Sequence, residues 1–150
     1  MSKPAVIPFE TTLQVHDACL CLHMQRAARV IAKHYDEAFR PLGLTSGQFS
    51  LMMSLNRPAP PTIGQVSALL AMDRTTLTAN LKPLQRRGLV DVTAGAADKR
   101  SRLMMLTAAG RALLAAAVPL WERAQAEAEQ LLADTGGARL RTDLRALAAG

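Results

Sequence analysis

The sequence predicts a mostly α-helical fold that carries one small β-hairpin. Hydrophobic residues make up 49% of the 150 residues and aromatic residues only 3%, and Ala and Leu provide most of the apolar side chains. Ala and Leu favour helices, whereas the β-branched residues that favour strands are sparse. Because a chain of this length can bury a core without disulfides or metals, we expect a single domain over 1–150.

The first element is predicted to be one long helix from about Thr12 to Arg40. Apolar residues recur there at helical steps of three and four, and Pro41 and Gly43 follow as stop signals. The apolar stripe is longer than one small domain readily covers. We therefore expect 12–41 to be a dimerisation helix that packs against a partner subunit.

Three short helices follow, and each begins at a recognisable capping residue. Thr45 and Thr62 are each followed three residues later by Gln, which is the spacing of a capping box. Asp73 is a favourable N-cap for a helix over 74–87. That helix and the preceding one, over 63–70, flank a three-residue turn and form a predicted helix-turn-helix.

The hydrophobic period then changes, which indicates a β-hairpin. The runs 89–93 and 102–106 are short and apolar or β-prone, and the loop 94–101 joins them. A hairpin directly after a helix-turn-helix is a wing. The sequence therefore predicts a winged helix-turn-helix unit over 45–106.

Two further helices are predicted after the hairpin. Thr107 caps a long helix to about Ala133, which we expect Pro119 to interrupt, and a terminal helix runs over 139–147. Together they form the second expected dimerisation segment, 107–149. The first and last helices thus bracket the winged helix-turn-helix.

The positive charge is concentrated in the predicted helix-turn-helix and hairpin. The net charge is +6, and the stretch from Asp73 to Arg102 has seven basic and three acidic residues, whereas the chain from Leu103 onward has five of each. A local excess of positive charge favours a polyanionic partner. We expect this partner to be double-stranded DNA.

The second helix of the pair carries the candidate base-reading residues. At about 100° per residue, Leu77, Leu81 and Leu84 share a buried edge, and Pro83 is expected to bend or interrupt the helix. On the opposite side, threonines allow close approach to the major-groove floor and cations can reach phosphates, although a merely solvated polar face is the alternative. The expected DNA-binding residues of this helix are Arg74, Thr75, Thr76, Thr78, Lys82 and Arg86.

The predicted hairpin tip is polar and cationic. An arginine at such a tip can enter the neighbouring minor groove, where a narrow groove has the strongest negative potential. Phosphate would repel Asp98, so we expect its carboxylate to pair with a nearby arginine and fix the loop. A flexible charged loop is the alternative. The expected wing residues are Asp98, Lys99, Arg100 and Arg102.

Three segments carry a recognisable pattern in order and spacing: Pro41–Phe49, Met72–Val90, and Asp98-Lys-Arg-Ser followed by Met105-Leu-Thr-Ala-Ala-Gly110. They resemble the MarR (multiple antibiotic resistance regulator) family, and the likeness covers roughly 12–132. The resemblance implies a homodimer with interdigitated terminal helices, whose two winged units meet successive major grooves of a pseudopalindromic operator.

The same resemblance implies roles for the wing and for an effector. It makes Asp98 and Arg100 the wing pair, with Arg100 in the minor groove. It also implies repression of nearby genes that is relieved by a small-molecule effector or by oxidation.

Both cysteines and all three histidines fall in the first predicted helix. His16, Cys19 and His23 share one flank, but no fourth ligand accompanies them, so we expect solvated or interface histidines and no metal site. Cys21 lies at the edge of the apolar stripe and Cys19 points away from it, and the expected role of Cys21 is a buried, inert thiol. The segment Leu20-Cys21-Leu22 resembles the hydroperoxide-sensing branch of the family, so redox sensing through Cys21 or Cys19 is the alternative.

Other classes of function find little support in the sequence. It contains no Gly-rich phosphate loop, nucleophile elbow or zinc-protease motif, so we expect no catalytic activity and no cofactor. Residues 1–10 lack the apolar core of a signal peptide, and the longest apolar run, Ala112–Trp121, has ten residues and includes a proline. We expect a cytoplasmic protein without membrane association. A winged-helix module that binds another protein is the alternative.

Overall fold

The computed structural model describes Met1 and residues 5–150, so Ser2, Lys3 and Pro4 of the segment tested for a signal peptide lie outside the described residues. Seven α-helices and one antiparallel hairpin are found in the described part, which confirms the predicted mostly helical fold with a hairpin. In chain order they are α1 Phe9–Ala18, α2 Leu20–Phe39, α3 Ser46–Ser54, α4 Ile63–Leu69, α5 Arg74–Arg86, β1 Val90–Ala94, β2 Arg102–Leu106, α6 Ala108–Gln130 and α7 Gly137–Ala149.

The expectation of one unbroken first helix is wrong, because the chain leaves the helical conformation at Cys19. Its backbone is extended (φ −70°, ψ 110°), and its Sγ accepts a hydrogen bond of 3.5 Å from the Leu22 N–H. Cys19 thereby acts as the N-cap of α2. A one-residue break hardly disturbs the apolar period, so the sequence pattern runs through it unchanged.

Both internal prolines lie within continuous helices. Helix α5 runs through Pro83 and α6 through Pro119, so the expected interruption at Pro119 is wrong. Each proline removes one N–H donor, but the flanking helical hydrogen bonds and buried contacts hold the element together. The bend expected at Pro83 stays a prediction.

The core lies where α2, α3, α5, α6 and the hairpin meet. Phe39 at the end of α2 stacks on Phe49 of α3, with ring centroids 4.5 Å apart. The buried edge predicted for α5 is confirmed, since its three leucines are at most 3% exposed. The largest fully buried side chains are Phe39, Leu51, Met52, Leu77, Leu84, Met104, Val66, Val90 and Pro61.

The hairpin is joined to its surroundings at both ends. Its strands pair from Val90↔Leu106 to Ala94↔Arg102, one residue later in β1 than predicted. An isolated bridge between Thr62 and Leu103 ties β2 to the start of α4. The wing base is therefore fixed to the helix-turn-helix, and the loop that remains is 95–101.

The terminal helices leave apolar side chains uncovered in the single chain. Helix α1 buries no residue, α2 buries only Phe39 and α7 only Gly137. Exposed large hydrophobic residues on these helices and just before them include Val6, Ile7, Phe9, Leu13, Val15, Leu20, Val30, Leu140, Leu144 and Leu147. None of the helices in the described part combines the length and the hydropathy of a membrane-spanning segment.

Candidate nucleic-acid interface

The turn between α4 and α5 has a defined backbone geometry. Ala71 adopts a left-handed conformation with φ of 49°. The Met72 N–H donates to the Ser67 carbonyl at 2.9 Å, and the Ser67 hydroxyl donates to the Met72 carbonyl. These reciprocal bonds hold the two helices at a fixed angle, and the predicted helix-turn-helix is confirmed.

The N-caps predicted for α3, α4 and α5 are all present. Thr45 and Thr62 both form complete capping boxes with the glutamines three residues later. At the start of α5, the Asp73 Oδ1 accepts from the Thr76 N–H at 2.8 Å, and the Asp73 Oδ2 accepts from the Thr76 hydroxyl at 2.9 Å. These hydrogen bonds to Thr76 hold the pKa of the Asp73 carboxyl below its usual value.

The outer face of α5 is open to solvent at most of the predicted positions. Side chains of Arg74, Thr75, Thr76, Lys82 and Arg86 are exposed, whereas Thr78 is half-buried. The turn at the start of α4 approaches Arg74 closely, because a methyl group placed on Gly64 would lie 3.0 Å from an Arg74 guanidinium nitrogen. A β-carbon at position 64 would therefore push the Arg74 side chain away.

One arginine of the basic stretch has a structural partner that the sequence did not reveal. Arg87, directly after α5, donates to the Gly43 carbonyl at 2.9 Å and to the Leu42 carbonyl at 3.0 Å. No sequence spacing pairs positions so far apart. Gly88 marks the end of α5 but does not indicate this partner.

The wing loop is held by hydrogen bonds from Asp98. Its Oδ1 accepts from the Arg100 backbone N–H at 2.9 Å, and its carbonyl accepts from the Ser101 N–H at 3.1 Å and the Ser101 hydroxyl at 2.7 Å. The expected pairing of the Asp98 carboxylate with an arginine side chain is therefore wrong, because the carboxylate accepts from the Arg100 backbone instead. In tight turns an Asp side chain commonly accepts from the backbone N–H two residues on.

The wing cations remain exposed. Lys99, Arg100 and Arg102 all have exposed side chains, and none of their charged groups takes part in an ion pair or hydrogen bond with the described part of the chain. The loop also needs Gly95, because a β-carbon there would meet the Ser101 hydroxyl and the Asp98 carbonyl. The wing is thus an ordered loop with available positive charge.

The cysteines and histidines of the N-terminal helices are not gathered into a site. Because the chain breaks at Cys19, His16 and His23 lie on different helices, and the His23 Nδ1 lies 2.8 Å from the Cys19 carbonyl. Among the described residues, no cluster of three metal-binding side chains is found. Cys21 is exposed in the single chain and Cys19 half-buried, so the expected burial of Cys21 is wrong for one chain.

Two capped helices around a left-handed turn, followed by an ordered cationic hairpin, define a winged helix-turn-helix protein. The sequence profile of the MarR family matches residues 42–101. The chain belongs to the MarR family.

Several individual regulators are also similar to this chain. YwoH of Bacillus subtilis, described as an uncharacterized HTH-type transcriptional regulator, is 34% identical over 84 residues, which cover 56% of this chain and 61% of YwoH. The match to such curated relatives thus spans about three fifths of their length. The chain is also similar to MosR of M. tuberculosis, solved in complex with DNA (42% identity, TM-score 0.77, 87% of this chain and 94% of MosR). The repressor CouR, solved on a 23-mer DNA duplex, is 27% identical with TM-score 0.73, over 97% of both chains.

Proposed function

We propose that this protein is a homodimeric transcriptional repressor that binds double-stranded DNA at a pseudopalindromic operator. The observation that carries the proposal is the exposed outer face of α5, where a capped first turn presents threonines and the later turns present Lys82 and Arg86. The presence of DNA in the MosR and CouR structures supports it. The curated relatives are regulators of bacteria, in which the DNA lies in the cytoplasm, and this supports a cytoplasmic location.

The proposed contacts divide by groove and by backbone. Thr75, Thr76 and Thr78 would meet base edges in the major groove, where small side chains allow α5 to approach closely. Arg74 would contact a base or the backbone, and Lys82 and Arg86 would reach phosphates. From the wing, Arg100 would enter the minor groove, flanked by Lys99 and Arg102, while Asp98 holds the loop that presents it.

The uncovered terminal helices support the homodimer. Leu140, Leu144 and Leu147 lie on one side of α7 at spacings of four and three, and each is more than 40% exposed. Monomeric proteins rarely leave such continuous apolar surface in water. A second copy supplies an identical apolar surface, which two-fold pairing requires. Two α5 helices in one dimer would then address two half-sites.

The decisive experiment titrates labelled DNA from the gene's own promoter at several salt concentrations. Neutralising roughly six to ten phosphates per dimer predicts an affinity loss of about 10³- to 10⁵-fold between ~50 and ~200 mM salt. Arg100→Ala should weaken binding most on sites with A·T-rich flanks, whereas Arg123→Ala, an exposed change on α6, should have no effect. A flat salt response, or no protected two-fold site, would favour a protein-binding module instead.

A second candidate function adds thiol-based release from DNA. Cys21 is exposed in the first turn of α2, so a peroxide can reach its sulfur in the single chain. The thiolate would attack a peroxide oxygen, giving a sulfenic acid on Cys21 and releasing an alcohol. Mass spectrometry after cumene hydroperoxide treatment tests this, with Cys21→Ser and Cys19→Ser as controls. DNA release while Cys21 stays unmodified would show that this thiol is not the switch.

A further inference from the structure

The hydrogen bonds at the start of α5 fix the direction of one hydroxyl proton. The Asp73 Oδ2 lies 2.9 Å from the Thr76 Oγ1, and the Asp73 Oδ1 already accepts from the Thr76 N–H. An ionised carboxylate can only accept hydrogen bonds. The Thr76 hydroxyl must therefore be the donor, and its single proton is committed to Asp73.

This commitment decides what the Thr76 oxygen can offer to a third group. A threonine hydroxyl has one proton and two lone pairs, so with its proton used it can only accept. In the major groove, adenine and cytosine each present one donor, N6 and N4, with adenine N7 beside it as an acceptor, whereas guanine and thymine present acceptors only. An accepting hydroxyl is thus matched to the first pair of bases and mismatched to the second.

We infer that Asp73 makes Thr76 a one-directional reader, which selects adenine or cytosine over guanine or thymine at the base it meets. The inference rests on the proposed DNA binding and adds its specificity at one position of each half-site. Asp73 is a positioning residue in this scheme, because it acts on DNA through Thr76. A mismatch at a single base of this kind costs roughly tenfold in affinity.

The neighbouring threonine provides an internal contrast. Thr75 is exposed, and its hydroxyl has no partner among the hydrogen bonds of the described residues. That hydroxyl can rotate to donate or to accept, so it should tolerate either kind of base edge. Thr75→Val is therefore the matched control for Thr76→Val.

The test selects binding sites from a randomised duplex pool with the full-length protein. For wild type, one position per half-site should be enriched in adenine or cytosine on the contacted strand. Thr76→Val keeps the side-chain shape but removes the oxygen. Its preference for adenine or cytosine at that position should fall about tenfold, while the rest of the selected site stays the same. Thr76→Ser should keep the enrichment, and Thr75→Val should leave that position unchanged.

Asp73→Asn sharpens the test, because Asn caps helices as well as Asp does and the fold should hold. Its amide can place the oxygen on the Thr76 N–H and the NH₂ group on the Thr76 hydroxyl. The hydroxyl oxygen then accepts from the amide, and its proton is free for DNA. Because one lone pair also stays open, the hydroxyl can then donate or accept, so the preference for adenine or cytosine at that position should be lost.

The experiment distinguishes failure of the proposed function from failure of this inference alone. If wild type selects no duplex, the proposed function fails and the inference with it. If wild type selects a site but Thr76→Val selects the same one, Thr76 serves only as a capping partner and the inference is overturned. Enrichment of guanine or thymine by wild type at the Thr76-dependent position would also overturn it. Circular dichroism melting of each variant shows that a changed site does not reflect lost folding.

Discussion

The Arg87 guanidinium donates to the Gly43 carbonyl at 2.9 Å and joins the end of α5 to the corner between α2 and α3. Gly43 has φ of 64°, a left-handed conformation at the end of the turn that follows α2. The hydrogen bond connects the proposed recognition helix with a proposed dimerisation helix. A basic residue that a charge count would assign to DNA is used here to orient α5.

Arg87→Ala should therefore weaken DNA binding without changing the number of phosphates that the protein neutralises. Both hydrogen bonds to carbonyls are removed, and the exposed position limits the stability cost to about 1 kcal/mol. Affinity should fall while the salt dependence keeps its wild-type slope. Lys82→Ala, in contrast, should lower that slope by about one for each phosphate that Lys82 neutralises. Salt titrations of both variants, with urea unfolding of Arg87→Ala, make the measurement, and a reduced slope for Arg87→Ala would place this side chain on DNA.

Gly110 accounts for the glycine of the Leu-Thr-Ala-Ala-Gly motif. A β-carbon there would overlap the Leu89 carbonyl oxygen, which accepts a 3.0 Å hydrogen bond from the Thr107 N–H. Gly110→Ala must displace this carbonyl, and we expect a loss of about 1–3 kcal/mol in the free energy of unfolding. Urea unfolding followed by the fluorescence of Trp121 measures it. Ala109→Ser, an exposed change one residue away, should stay within about 0.5 kcal/mol of wild type, and equal stabilities for both variants would contradict the argument.

The local parts of the fold were predictable from sequence because their causes are local. The three N-caps depend on residues three positions apart, and the buried edge of α5 depends on helical periodicity. The break at Cys19 was missed because a one-residue break leaves that periodicity almost unchanged. The hydrogen bonds of Arg87 were missed because they depend on tertiary packing, which no spacing in the sequence records.

The candidate site was likewise predictable from the sequence only in part. Residue types and exposure on α5 and the wing followed from pattern and charge. The hydrogen-bonding atoms did not, since Asp98 accepts from the Arg100 backbone N–H and the Thr76 hydroxyl donates a hydrogen bond to Asp73. Hydrogen-bond direction is set by the folded geometry of a turn or a helix start, and a sequence only limits the choices.

The phenol of Tyr35 can be titrated separately from every other group of the protein. Burial and the nearby Glu129 carboxylate raise the pKa of its phenol, which donates to the Gln125 side chain. Since the chain has one tyrosine, tyrosinate absorbance reports Tyr35 alone. We expect a midpoint above the ordinary value of about 10, and one nearer that value in Glu129→Gln. A wild-type midpoint at or below that value would contradict the burial of this phenol.

The raised pKa of Tyr35 also makes the stability of the fold depend on pH. The pKa of Tyr35 is higher in the folded protein than in the unfolded one, so its contribution is fully present below pH of about 10 and is lost as the pH rises through the folded value. Urea midpoints of wild type should therefore fall with alkaline pH more steeply than those of Tyr35→Phe. Parallel curves for the two proteins would show that Tyr35 contributes nothing to the decline.

The apolar side of α7 gives a direct test of assembly. Leu144 is 42% exposed in the single chain, and a carboxylate at this position would be buried against a second copy at high cost. Leu144→Glu should be monomeric by light scattering and should bind DNA far more weakly than wild type. Arg145→Gln, next to it on the same helix, should remain dimeric. A dimeric Leu144→Glu would exclude α7 from the subunit interface.

The uninterrupted α6 has a mechanical consequence. Its first turn is anchored beside the wing, where the Thr107 hydroxyl donates to the Gly88 carbonyl at 2.6 Å, and its last turn reaches Arg141 of α7 through Glu129. With a rise of about 1.5 Å per residue, the helix is a rod about 35 Å long. If α6 rotates by ~5° about its end near α7, its other end, beside the wing, moves by ~3 Å. This distance is close to the spacing between neighbouring base pairs. In the proposed dimer, a tilt of this size at the terminal helices would therefore be enough to move both wings out of register with a duplex.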